Sequence, residues 1–265
     1  MNKRGIILRK KSVNIYYTTS IDTKEKLNLI KDAGYDEFHT GIREEIETMN
    51  LAEQIDYAKS LGLTCTMIHC QYNIPNVNDF WNDNEIGEKL FNWYSSQLKS
   101  CKGLTKNFVV HLNAGFDSKI SEVGLSRVKK LLEICDELDI NLCVENLFST
   151  EEIPYLFKNI KNKHLKICFD SGHRNFLTPD FDVMKDYGNH VSVLHLHDNF
   201  GKTDEHNICG NGTIDWDDFA KNVAKHKDLV LCAELKEEKP DINYLRKQME
   251  EFNKLDKLIE KYENL

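Results

Sequence analysis

VSVLHLHDNFGKTDEHNICGNGTIDW, residues 191–216, begins as an apolar strand and ends on a helix, and its reading decides the fold. The run Val191, Val193 and Leu194 predicts a buried strand. His195, His197 and Asp198 stand at its end. The loop that follows carries Asp204 and His206 two apart, then Gly210-Asn211-Gly212. Asp215 then begins a helix, with Asp218 three residues on. Imidazoles and carboxylates gathered at one strand end are the donors a hard or borderline divalent cation takes. The bland alternative is a polar surface loop. It is opposed by five other strand-like runs of the chain, which also finish in His, Asp or Glu.

Working outward, strand-like and helix-like runs alternate. The strands are expected at 13–17, 36–39, 64–69, 107–111, 140–145, 165–170, 191–197 and 229–234. Asp22 with Glu25 predicts a capping box after the first. Ile46, Met49, Ile55 and Ala58 mark the core face of the second helix. The polar loop 71–84 leads to a helix with Leu90, Tyr94, Leu98 and Cys101 at helical spacing. Val128, Leu131, Leu132 and Cys135 line the next, and Ser149 with Glu152 opens another. Thr178-Pro179 places Pro at a first helical position. The chain closes on an amphipathic helix with Ile242, Leu245, Met249, Phe252, Leu255 and Ile259 inward. Continuous apolar strands suit a parallel sheet covered on both faces. Eight β-then-α units in 265 residues suit a single (β/α)8 TIM barrel, α/β in class and one domain over 1–265. The rival, a doubly wound open sheet, wants a glycine-rich turn after its first strand, and Thr18-Thr19-Ser20 is not one.

Composition narrows the function classes. A hydrophobic fraction of 40% suits a sizeable core, and no apolar run of about 18 residues occurs to span a membrane. MNKRGIILRKK lacks the long apolar segment of a signal peptide and reads as a short solvated lead-in. Four of the eight cysteines, Cys65, Cys143, Cys168 and Cys232, lie in apolar strand-like runs, and no CxxC pair exists. The expectation is a reducing, cytoplasmic setting. The net charge of -8 argues against a nucleic-acid partner, since the densest basic cluster is terminal: Lys3, Arg4, Arg9, Lys10 and Lys11.

The strand ends make a constellation. The third ends in His69, the fourth in His111 and the fifth in Glu145. The sixth ends in Asp170, with His173 beyond it; the seventh brings His195 and His197, then Asp204 and His206; the eighth ends in Glu234. A barrel collects these ends at its C-terminal mouth, where active sites of this fold sit. Buried acids without a cation repel one another, and a divalent ion removes that cost. His39 also lies at the mouth and is read as a substrate contact only. His164, His190 and His226 flank the opposite strand ends.

FDSGH (169–173), HLHDN (195–199), the DEH-N-I-C-GNGTIDW pattern (204–216) and AELK (233–236) resemble the xylose-isomerase-like TIM-barrel superfamily. That superfamily holds sugar-phosphate isomerases and epimerases, and the endonuclease IV type of apurinic-site nuclease. The resemblance runs from about His69 to Glu234. In the epimerases it implies one cation, usually manganese, on Glu145, Asp170, His195 and Glu234. In the nucleases it implies up to three zinc ions on nine ligands: His69, His111, Glu145, Asp170, His173, His195, Asp204, His206 and Glu234. Gly172, Leu235-Lys236 and HLHDN look like the epimerase branch, whereas Cys209-Gly210-Asn211-Gly212 departs from its usual Pro-Gly-Glu-Gly.

The first expectation is therefore a manganese- or zinc-dependent isomerase or epimerase of a small sugar or sugar phosphate. Its cation would stabilise an enediolate while Glu145 and Glu234 remove and return the proton. His173 would hold a substrate oxygen, and Arg174 or Lys236 a phosphate or carboxylate. The second is zinc-dependent phosphodiester hydrolysis at abasic DNA. A non-catalytic metal-binding barrel is the third, and no residue argues for it.

Overall fold

In the computed structural model the described residues are 9–43, 47–71, 76–115, 119–238 and 241–265. The strands are β1 Lys11–Asn14, β2 Glu37–Gly41, β3 Thr64–His69, β4 Asn107–Val110, β5 Asn141–Glu145, β6 Leu165–Asp170, β7 Val191–His195 and β8 Leu231–Ala233. All neighbours pair in parallel, in the order β7-β6-β5-β4-β3-β2-β1-β8. A parallel bridge between Leu196 and Ala233 joins the two ends and closes the barrel. The (β/α)8 expectation is met.

The helices are α1 Thr23–Asp32, α2 Leu51–Ser60, α3 Glu85–Ser100, α4 Glu122–Leu138, α5 Glu152–Asn159, α6 Ser171–Phe176, α7 Val183–Tyr187, α8 Trp216–Val223 and α9 Ile242–Glu263. Their apolar stripes meet the outer faces of the strands in one continuous core. Inside the barrel a second, smaller cluster is formed by Met67, Val109, Cys143, Cys168, Val193 and Cys232. Side chains alternate along a strand, so the residues two further on also face inward. Those are His69, His111, Glu145, Asp170, His195 and Glu234. One pleat column thus supplies both the apolar layer and the polar ring above it.

Several local expectations need correcting. β1 starts at Lys11 and gives way at Ile15–Tyr17 to a short 3-10 turn, so 13–17 is not one strand. The lead-in is not wholly solvated. Arg9 and Lys11 are buried, Arg9 donating to the carbonyls of His226 and Leu229 and pairing with Glu263, Lys11 pairing with Asp256. Lys3 and Arg4 lie outside the described residues, as does Ile46. Met49 precedes α2, because Asn50 caps that helix in a two-way capping box with Glu53. At α1, Asp22 accepts the Glu25 amide. Ser149 accepts the amides of Glu151 and Glu152 where α5 begins. Pro179 does not start a helix: Phe181 N–H donates to the Thr178 carbonyl, so Pro179 is the second residue of a turn, where its fixed φ also fits.

Candidate metal centre

The site is the polar ring. Two asparagines hold its strand ends in register by standing in for backbone. Asn146 donates to the Asp170 carbonyl and accepts the Asp170 amide, at 2.9 and 2.7 Å. Asn14 does the same to Leu235, at 3.0 and 2.8 Å, across the β1–β8 seam. The fixed strand ends carry Glu145, Asp170, His195 and Glu234, whose nearest donor atoms all lie within 4.8 Å of one another.

Glu145 sits at the centre and is fully buried. Its Oε2 is 3.2 Å from His69 Nε2 and 2.8 Å from His111 Nε2; its Oε1 is 3.2 Å from both His173 Nδ1 and His195 Nδ1. His195 Nδ1 is also 3.3 Å from Glu234 Oε2. Asp170 accepts the His173 amide at 2.6 Å, so it caps α6 and faces the ring at once. His69 Nδ1 lies 2.7 Å from the Cys70 carbonyl, and His206 Nδ1 3.0 Å from the Glu234 carbonyl. With Nδ1–H directed at those carbonyls, each ring in its neutral form would present Nε2 to a cation.

The loop after β7 is built on Asp198. Its carboxylate accepts from the amides of Asn199, Gly210 and Ile214 and from the Trp216 indole, between 2.8 and 3.2 Å. Gly212 packs so close that a Cβ there would stand 2.2 Å from Asp198 Oδ1. The loop returns Asp204 and His206 to the ring, with His206 in a left-handed conformation at φ 52°. Asp204 lies 3.0 Å from His206 and 3.6 Å from His173.

The electrostatics are those of an anionic pocket that gathers positive charge. Burial opposes ionisation of Glu145, but the imidazoles of His195 and His111 override it and hold the carboxyl well below its ordinary range. Burial likewise works against the charged forms of His69, His173 and His195; the bonds to Cys70 and Glu145 raise His69 nonetheless, and the carboxylates facing His173 and His195 raise those two. His206 is raised to about 9, with Asp204 overcoming burial. A mixed set of carboxylates and imidazole, buried and convergent, fits a divalent cation such as zinc or manganese.

A cavity of about 690 Å³ opens over the ring, a volume suited to a small organic ligand. His69, His111, Glu145, His173, Asp204, His206, Glu234 and Lys236 line it. Arg174 does not: its guanidinium lies 3.0 Å from Asp182 and 3.9 Å from Asp218, away from the cavity. His39 is fully buried under the ring, stacked on His195 at 5.5 Å and 3.2 Å from Ser12 Oγ, so it is no substrate contact. The sequence reading missed Tyr16 and Arg43, which also line the cavity. It counted His197 among the strand-end residues but gave it no ligand role; the ring lies 3.2 Å from Asp170 and stacks on His206 at 4.0 Å. Gly172 leaves the space His197 fills, since a Cβ there would meet the ring at 2.0 Å. Tyr16 follows a strand end by two residues, a pattern that could have found it.

Residues 27–255 match the model of a family described as xylose isomerase-like TIM barrel. Over 220 residues the chain is 22% identical to a probable endonuclease 4 of Lachnoclostridium phytofermentans, covering 71% of this chain and 70% of that one. A 31% identical match to the uncharacterized protein y4fM of Sinorhizobium fredii spans 34% of this chain and only 31% of the relative's length. Among solved structures, an L-ribulose 3-epimerase superposes with a TM-score of 0.76 at 14% identity, over 97% of this chain and 96% of the other. An IOLI protein with a binding zinc atom superposes at 0.73 and 16% identity, over 96% and 99%. At these identities the superpositions speak to the fold.

Proposed function

This chain belongs to the xylose isomerase-like TIM-barrel family, and from that premise we propose that it is a divalent-metal-dependent isomerase or epimerase of a sugar or sugar phosphate. The observation that carries the reading is the convergence of Glu145, Asp170, His195 and Glu234 within 4.8 Å beneath an open cavity. These four residues would hold the cation, zinc or manganese. A cation held there would supply stabilisation of the negative charge that develops as a proton leaves the carbon beside a carbonyl. Glu145 and Glu234 both line the cavity, and each holds or moves that proton at a carboxylate oxygen. His173 and Lys236 line the same cavity and are placed to contact substrate oxygens or a phosphate. The eight free cysteines support a reducing, cytoplasmic setting.

One observation favours a second reading, zinc-dependent phosphodiester cleavage. His69, His111, His173, Asp204 and His206 surround the same cavity, enough donors for further ions. The net charge of -8 weighs against it, since phosphate backbones are bound by Lys and Arg.

Metal content, melting, isotope exchange and strand incision test the proposal. Asp170→Ala or His195→Ala should lose the bound metal, by elemental analysis, and melt lower than the metal-loaded wild type. Unchanged metal content in both would move the site elsewhere. Incubation with ketoses in deuterated water should place deuterium beside the carbonyl, and Glu234→Gln should cut this exchange far more than it cuts metal content. Robust zinc-dependent incision of an abasic oligonucleotide, abolished by Glu234→Gln, would instead establish the nuclease reading.

A further inference from the structure

We infer that Tyr16 is a positioning residue for Glu234, dividing that carboxylate's two oxygens between a phenol on one side and the cation side of the ring on the other. The inference rests on the cation reading above and assigns a role to a residue outside the ligand set. Tyr16 Oη donates to Glu234 Oε1 at 2.9 Å. The other oxygen, Oε2, faces His195 Nδ1 at 3.3 Å, and Glu234 is one of the four residues of the convergent set.

The arrangement is built rather than incidental. Tyr16 sits in the 3-10 turn that ends β1, flanked by Ile15 and Tyr17, both fully buried. Its backbone, at φ -86° and ψ 16°, occupies the sparsely allowed bridge region where many site residues sit. Two residues before it, Asn14 brackets the Leu235 backbone and so pins the end of β8 beside the end of β1. The phenol and Glu234 are thereby carried by strands whose register is locked. The ring also has two further contacts. His39 meets it edge-on at 5.9 Å, and the Arg43 guanidinium lies over it at 5.4 Å. His39 in turn stacks on His195, which ties the phenol's orientation to a cation ligand.

The consequence is an asymmetry between the two candidate bases. Glu145 is enclosed by the imidazoles of His69, His111, His173 and His195. Of the two, Glu234 has a phenol, which holds Oε1 while Oε2 faces His195 and so fixes the carboxylate plane. A hydrogen-bonded partner of a ligating carboxylate typically changes metal affinity by 10–100-fold when removed.

The test is Co2+ titration of the purified protein by visible absorption, whose bands report the number and kind of donors. Tyr16→Phe keeps the ring and its contacts and removes only the donor. We expect Co2+ to bind roughly tenfold more weakly or worse. The visible spectrum should change as Oε1 becomes free, while the chelator-treated variant melts with the chelator-treated wild type. Unchanged affinity and spectrum would overturn the assignment. So would weaker binding accompanied by an equally lowered melt and an unchanged spectrum, which is the mark of a merely structural role. Absence of Co2+ binding to the wild type would overturn the cation reading and this inference with it, which separates the two failures.

Discussion

Glu152 shows how far one enclosed residue departs from solution behaviour. It opens α5 fully buried, with Asn113 Nδ2 donating to Oε2 at 3.0 Å. Burial pushes its pKa from the ordinary 4.5 up to about 7, against the Asn113 bond. The folded protein therefore keeps a proton that the unfolded chain has released between those values. The stability this gives is complete below the unfolded pKa and is lost as pH rises through about 7. Glu152→Gln removes the titration, so at about pH 8 it should be more stable than wild type by about 3 kcal/mol. Thermal melts should show the gap closing by about pH 5; an equal gap at both would mean the carboxyl titrates normally. Six residues of the ring were legible in the sequence. Each stands two places beyond an inward apolar side chain, as Cys143 precedes Glu145 and Cys232 precedes Glu234. Arg174 misled because a cation beside a ligand motif looks the same in sequence whether it faces the cavity or, as here, Asp182. Tyr16 escaped because its value lies in a partner 218 positions away.

Among the elements, strand starts were read at least as closely as strand ends, since β3, β4, β6 and β7 begin at the expected residue. The ends of β3, β5 and β6 fall where the polar residue interrupts the apolar run. β8 is only Leu231–Ala233, because its pairing, not its apolar content, sets its length. Pro179 was ambiguous for a similar reason, since its fixed φ serves a helix start and a turn equally. The loop after β7 was legible as residues but not as architecture. Its organiser is Asp198, a buried acceptor for three amides and an indole. Asp198→Ala should cost about 3 kcal/mol or more, because several donors lose their acceptor together. Denaturant melts would show it; a change below about 1 kcal/mol would mean the loop holds itself by other means. Gly212→Ala should act in the same direction, as its Cβ would intrude on the same carboxylate.

At the scale of the whole molecule, the N-terminal end of the barrel is fastened by long-range charge. Arg9 donates to carbonyls of the α8–β8 connection and pairs with Glu263 of α9, and its amide donates to Asp256, which also pairs with Lys11. Arg9→Ala leaves those carbonyls and the partly buried Glu263 without their partner, at an expected cost of about 2 kcal/mol. Denaturant unfolding of the variant checks it; a wild-type midpoint would assign the fastening to Lys11 alone. The barrel interior has a separate consequence. Cys143, Cys168 and Cys232 are fully buried in its apolar layer, and Cys70, Cys101, Cys135 and Cys209 are buried elsewhere in the core. Burial also raises the thiols of Cys143, Cys168 and Cys232, so the reactive thiolate is scarce as well as shielded. An alkylating reagent can reach the three in the layer only when the strands part. Their labelling is then a clock for opening of the barrel, and a chelator should make it run faster if a cation spans the strand ends above.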